Sequence, residues 1–279
     1  MAESHALKSK ELYPEVFSRH ALDYDRRLEQ VMAHGEARGR LRLLELVDAQ
    51  PGMRIIDLAC GPGTLTRRIA AHVSPGGEVV GVDLAPGMIE LAQSAATPNA
   101  RFEVMDIEHL SFPDASFDAA ACGHGLQFAP GLGIALGEAR RVLRPSALLA
   151  ASVPIDTTMD RVWSLLDKVV DRWLGPAQQA VDHESTREVV ADLRGFEQAA
   201  RDAGFASARV ELIEEKVSWQ SAEQFVSHLA GWWFCASRME GIDGDRRHRF
   251  LEEATETLRR AYPGEFDTTG RNHVLVATA

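Results

Sequence analysis

Two acids and two glycines at fixed spacing carry the first chemistry in this sequence. Asp57 stands in Ile55-Ile56-Asp57-Leu58-Ala59-Cys60-Gly61-Pro62-Gly63-Thr64, where β-branched residues run into an acid and then into glycines. Leu65 and Ile69 follow at the spacing of one helix face. The pattern predicts a buried strand, a tight turn and a helix that begins at the turn. Glycine lets the backbone approach a ligand where a Cβ would collide, and a helix N-terminus adds free N–H donors. A second short strand, Glu78–Asp83, ends in Asp83, 20 residues after Gly63. An acid at the tip of the second strand is placed to bond a ribose diol.

Nicotinamide and flavin enzymes share that arrangement. Their fingerprint wants a third small residue three places after the second glycine, and here Thr66 occupies it. Asp57 would repel a pyrophosphate, whereas an acid facing the turn suits a ligand with a positive centre or an amine. The run Asp57-Leu58-Ala59-Cys60-Gly61-Pro62-Gly63 resembles the first motif of class I S-adenosylmethionine (SAM)-dependent methyltransferases. Phe17-Ser18-Arg19-His20-Ala21-Leu22-Asp23-Tyr24-Asp25 resembles the opening segment of their ubiquinone/menaquinone-biosynthesis branch. Phe112-Pro113-Asp114-Ala115-Ser116-Phe117-Asp118 is close to a further pattern of the family.

The resemblance implies SAM as cofactor, with S-adenosylhomocysteine as product, and a cofactor site at Tyr24, Asp57, Ala59, Gly61, Gly63, Asp83, Leu84, Met88, Asp106, Ile107, Cys122 and Gln127. In it, the tyrosine at Tyr24 touches the carboxylate end of the cofactor. Leu84 and Met88 pack on adenine and ribose, and Asp106 takes the exocyclic amine. A carboxylate accepts from an N–H₂ donor, so that chemistry agrees. The family usually has two glycines after Leu143-Arg144-Pro145; Ser146-Ala147 stand there instead, which weakens the match at that turn.

The elements that must position these residues alternate. Strands are expected near Ala100–Met105, Ala119–Cys122, Ala147–Val153, Ala208–Val217 and Asn272–Thr278, with helices between. The expected fold is α/β: a Rossmann-like seven-stranded sheet, mostly parallel with the last strand antiparallel, and helices on both faces. Residues 1–50 form an N-terminal helical segment, 51–154 the SAM-binding core, 193–217 a core helix and strand six, and 271–279 the final strand. Insertions at 155–192 and 218–270, which hold or border all five tryptophans, read as a helical cap over an acceptor. A homodimer interface is the alternative use of Trp232-Trp233-Phe234.

Methyl transfer to a hydroxyl gains from a general base within hydrogen-bond reach. His124, after strand four, is the first candidate, His228 the second and His20 the third. Tyr13, Phe17, His124, Trp232 and Trp233 are expected against the acceptor. No metal-ligand spacing is visible, so no metal is expected. The net charge of −11 argues against a nucleic-acid surface. Three scattered cysteines and the lack of a long apolar run or leader predict a cytoplasmic protein without membrane insertion. The expected activity is methylation, at O, C or N, of a small hydrophobic or aromatic metabolite of quinone, polyketide or isoprenoid type, as in natural product biosynthesis. A SAM-binding protein of the same fold without methyl transfer (a cyclase or partner subunit) is the alternative; a nicotinamide oxidoreductase is disfavoured by Thr66 and Asp57.

Overall fold

The computed structural model describes residues 8–95, 97–156, 161–175, 180 and 182–279. Seven strands form one sheet: β1 (Arg54–Leu58), β2 (Glu78–Asp83), β3 (Ala100–Val104), β4 (Phe117–Gly123), β5 (Leu143–Asp156), β6 (Ser207–Trp219) and β7 (Phe266–Thr278). Their order is β3-β2-β1-β4-β5-β7-β6. The pairs among β1 to β5 are parallel, and β7 runs antiparallel to both β5 and β6. This is the expected seven-stranded α/β sheet.

Strand residues alternate between two helix layers, because successive side chains point to opposite faces. Ile55, Val79, Ala119 and Ala121 join one core with Leu43, Val47, Leu65 and Ile69. These last residues come from α3 (Arg38–Val47) and α4 (Thr64–Val73). Ile56, Val80, Ala120 and Leu149 face a second core built with α6 (Leu132–Val142) and α9 (Leu193–Asp202). Burial on both faces explains why these strands read as continuous apolar runs. Between β2 and β3, α5 (Pro86–Ser94) starts with Pro86, whose missing N–H costs nothing in the first turn.

Within the N-terminal helical segment, residues 28–47 are shared between two helices, α2 (Ala21–Ala33) and α3. Gly35 breaks it with a positive φ of 71°. Ahead of them, α1 (Ser9–Arg19) carries Tyr13 and Phe17.

β6 and β7 are each 13 residues long and pair along their full length, further than the sequence suggests. Their distal ends, at Trp219 and Phe266, support a separate cap core with α7 (Arg161–Leu174), α10 (Ala222–Ala230), α11 (Trp233–Met239) and α12 (Gly244–Ala261). Trp219 donates from Nε1 to the Thr268 hydroxyl at 2.9 Å. Trp163 and Trp173 pack on the same core. Trp163, Trp173, Trp219 and Trp232 therefore fill the cap itself. α8 (Glu184–Ala191) takes no part in that core: Val190 joins the sheet core, and Thr186 donates to the Ala129 carbonyl.

Candidate functional site

The chain winds from β1 outward to β2 and β3, then returns to place β4 on the other side of β1. The carboxyl ends of β1 and β4 therefore open a crevice at the switch point, where doubly wound sheets bind ligands. A cleft lies there, enclosing about 770 Å³ including its solvent-open part.

The turn after β1 forms its floor. Gly61 lies on the cleft with φ +55°, and a Cβ there would meet only Tyr24 Cε1, at 3.9 Å, so the space before it is open. Asp83 fixes this turn: its carboxylate accepts from the Gly61 N–H and the Ala85 N–H, both at 2.8 Å. Burial pushes its pKa up, against these two donors and the Leu84 N–H. Each oxygen keeps lone pairs for a ribose diol. Leu84, Met88, Asp106, Ile107, Ala59 and Tyr24 also line the cleft. The expected cofactor residues thus converge for the most part.

Four of them stand outside it. Gly63 (φ +82°) serves packing, since a Cβ there would lie 2.8 Å from Phe102 Cε1. Asp57 is fully buried beneath the turn and accepts from the Thr66 hydroxyl at 2.6 Å. Its burial drives the pKa up to about 7, with repulsion from Asp83 adding to the effect. Cys122 is buried in the sheet core. Gln127 braces the loop after β4 by donating to the His124 carbonyl at 2.8 Å.

That loop holds His124 at a positive φ of 64°, uncommon for a residue with a Cβ. Its N–H donates to the Ser152 carbonyl, and the residue lines the cleft. Burial, together with the fields of Arg40 and Arg27, holds its pKa well below the usual histidine range, and its Nε2 is without a partner. The imidazole is neutral near pH 7, and a weak base. Tyr13, Phe17 and Phe128 make an aromatic wall, with centroids 4.9 Å apart for Tyr13–Phe128 and 5.5 Å for Phe17–Phe128.

His228 and Trp232 are not among the residues lining the cleft. His228 sits in the cap against Trp219 and accepts from Arg27 Nε; burial drops its pKa to about 3, so it is no base for the cleft. Trp232 packs on Trp163 and under Arg27. The Trp233 side chain lies outside the described residues. His20 sits against Glu240 at 2.9 Å.

Residues outside the expected set complete the site. Lys10 bridges Asp106 and Glu108 at 2.6 and 2.7 Å, so α1 is tied across the adenine-side acid. Arg40, 8% exposed, donates to the Tyr24 hydroxyl at 3.1 Å, directly behind Gly123 in the cleft wall. One signal marks Arg40: it occupies the apolar stripe of α3 with Leu43 and Val47. The residues present fit SAM: Asp83 for the ribose, Asp106 for the adenine amine, the open face of Gly61 for the backbone approach, and Tyr24 with Arg40 for a carboxylate tail. Among the described residues, no cluster of histidine, cysteine or acidic side chains could hold a metal, and no helix is long and apolar enough to cross a membrane.

Comparison with known proteins agrees with this geometry. Residues 55–146 match the methyltransferase domain model. A demethylmenaquinone methyltransferase of Staphylococcus aureus is 29% identical over 220 residues, 75% of this chain and 90% of that protein. An uncharacterised 37.1 kDa transposon protein of Streptomyces fradiae is 40% identical over 114 residues; that match spans 40% of this chain but only 33% of the relative. Among solved structures, the YcgJ protein of Bacillus subtilis superposes with a TM-score of 0.53 at 18% identity, over 86% of this chain and 97% of that one. A chain from the complex between the Haloferax volcanii Trm112 methyltransferase activator and a methyltransferase gives 0.51 at 19% identity, over 94% and 97%. With the glycine turn and the acid at the tip of β2 in one crevice of a sheet that also carries an inserted antiparallel β7, residues 55–146 are a methyltransferase domain, and the chain has the fold of the class I SAM-dependent methyltransferases.

Proposed function

We propose that this enzyme transfers a methyl group from SAM to a small hydrophobic or aromatic metabolite. The observation that carries the reading is continuity: the acid-floored end of the cleft at Asp83 and Gly61 runs into the aromatic wall of Tyr13, Phe17 and Phe128 at His124. When bound, SAM supplies an electrophilic methyl carbon, whose bond pair returns to sulfur as the acceptor's electron pair bonds to carbon. The work left to this chain is alignment and exclusion of water. Tyr13, Phe17 and Phe128 hold a flat apolar acceptor beside the β4 loop. A neutral His124 offers a hydrogen bond to an acceptor heteroatom more readily than it removes a proton.

The site proposal is Tyr24, Ala59, Gly61, Asp83, Leu84, Met88, Asp106 and Ile107 for cofactor, and Tyr13, Phe17 and His124 for acceptor. The test is thermal unfolding with SAM, S-adenosylhomocysteine, NAD and NADP, on the wild type and Asp83→Ala. A ligand that binds only the native state raises the midpoint. We expect a rise with SAM and its product that Asp83→Ala loses. A rise with NAD or NADP alone would refute the reading.

A further inference from the structure

We propose that α1 is a strap across the cleft, hinged at His20 and latched at its first turn, that opens to exchange the cofactor. Closed, it completes the wall against which the acceptor sits. The inference rests on the methyl-transfer reading above and adds the device that governs access to the same site.

α1 spans both compartments of the cleft. Ser9, Lys10, Tyr13, Pro14 and Phe17 all line it, and their spacing puts them on one helix face. Lys10 reaches the acids at the nucleoside end, while Tyr13 and Phe17 belong to the aromatic wall. A cofactor held between Asp83 and Asp106 therefore meets the same helix that bounds the acceptor.

Polar ties hold the first turn down. Lys10 Nζ bridges Asp106 and Glu108. Asp182 accepts from both the N–H and the hydroxyl of Ser9, and so caps a helix whose own N-cap residue, Lys8, makes no side-chain bond. Tyr13 Oη lies 3.2 Å from His183 Nε2. The apolar cluster beneath is small, built on Leu12, Tyr13, Val16 and Ala180 with Phe17 and Phe128, and separate from both sheet cores. Pro14 weakens the helix further, since it has no N–H to give to the ladder. Half-exposed ion pairs contribute little, so this turn can lift while the sheet stays intact.

The other end is a pivot. The Gly87 N–H donates to Ser18 Oγ at 3.0 Å, and a Cβ on Gly87 would lie 2.7 Å from the Ser18 carbonyl oxygen. That close contact fixes the last turn of α1 on α5. His20, at φ −106° and ψ 16°, separates α1 from α2, which begins at Ala21.

A closed strap and a bound cofactor are compatible. Each carboxylate oxygen has two lone pairs. On Asp106, Oδ1 accepts from the Glu108 N–H and Oδ2 from Lys10, which leaves lone pairs for the adenine amine. Latch and amine do not compete, so loss of the latch frees entry as much as exit. A residue that merely contacted the cofactor would change exit alone.

The test is stopped-flow binding of S-adenosylhomocysteine to the wild type and to Lys10→Met/Asp182→Ala, which removes both ties. We expect association and dissociation to quicken together, each by about tenfold, with Kd held within about threefold, as loss of an exposed ion pair and a helix cap implies. Faster dissociation alone, or no change in either rate, would overturn the proposal. Amide exchange on the wild type checks the hinge with no variant: residues 11–17 should exchange together and ahead of α4, as a locally opening unit does. Exchange of α1 only in step with α4 would overturn the strap. Absence of S-adenosylhomocysteine binding by the wild type would remove the methyl-transfer reading and the strap with it, whereas binding with unchanged rates in the variant removes the strap alone.

Discussion

Asp57→Asn measures how the glycine turn is supported from below. The Asp57 carboxyl is fully buried, with one oxygen accepting from Thr66 and the other unpartnered. Its folded pKa of about 7 compares with 3.8 for a free aspartate. As pH rises, the unfolded chain releases this proton first, so the group's contribution to stability falls from about pH 4 and levels off above pH 7. At 1.36 kcal/mol per unit, the full shift amounts to about 4 kcal/mol, of which about 3 kcal/mol is lost between pH 5 and pH 8. Asparagine accepts from Thr66 as well and does not titrate. Its amide N–H₂ lacks an acceptor, which adds a cost of about 1–3 kcal/mol independent of pH. Urea unfolding of both proteins at pH 5, 6, 7 and 8 isolates the group, because acids with lowered pKa such as Asp106 and Glu138 are common to both. We expect the variant to gain about 3 kcal/mol on the wild type from pH 5 to pH 8. A difference flat in pH would refute the reasoning, since it would mean that Asp57 is ionised in the folded protein throughout.

The two glycines of the turn should respond differently. Gly61→Ala meets open space, so we expect a stability loss of about 1–2 kcal/mol from its positive φ, with S-adenosylhomocysteine affinity down by tenfold or more in calorimetry. Gly63→Ala drives a Cβ into Phe102, and unfolding should show about 2–4 kcal/mol lost through strain and overpacking. Lys10→Met removes a half-exposed bridge from α1 to Asp106 and Glu108; stability should fall by about 1 kcal/mol or less, while stopped-flow fluorescence shows faster release of S-adenosylhomocysteine. His124→Gln should leave the shape of the pH–rate profile between pH 6 and pH 8 unchanged, because the wild-type imidazole is already neutral there. Phe250→Ala opens the cap core where Phe250 is fully buried, and should cost about 3–5 kcal/mol in denaturant unfolding with little change in S-adenosylhomocysteine affinity.

The sheet and the cofactor end of the site could be read from the chain alone, since both are written in local order. Strands covered on both faces must be continuously apolar, so Ile55–Leu58 and Glu78–Asp83 are visible as short runs between glycines and polar turns. A ligand contacted by backbone needs glycine at one place, and a diol needs an acid at a strand tip; Gly61 and Asp83 carry these demands within 23 residues.

What needed the tertiary structure was every role set by residues distant in sequence. Gly61 and Gly63 look equivalent in the chain, but one faces the cleft and the other Phe102, from a strand and helix away. The tryptophans have the composition of an acceptor pocket, yet the long β6–β7 ladder gives Trp163, Trp173 and Trp219 a core of their own. His228 reads as a base until the fold sets Arg27 against it, 201 residues away in the chain. Charge and burial are sums over neighbours, and neighbours 100 or 200 residues apart leave no mark on local spacing. Tertiary packing alone decided which acids pair and which histidine is neutral.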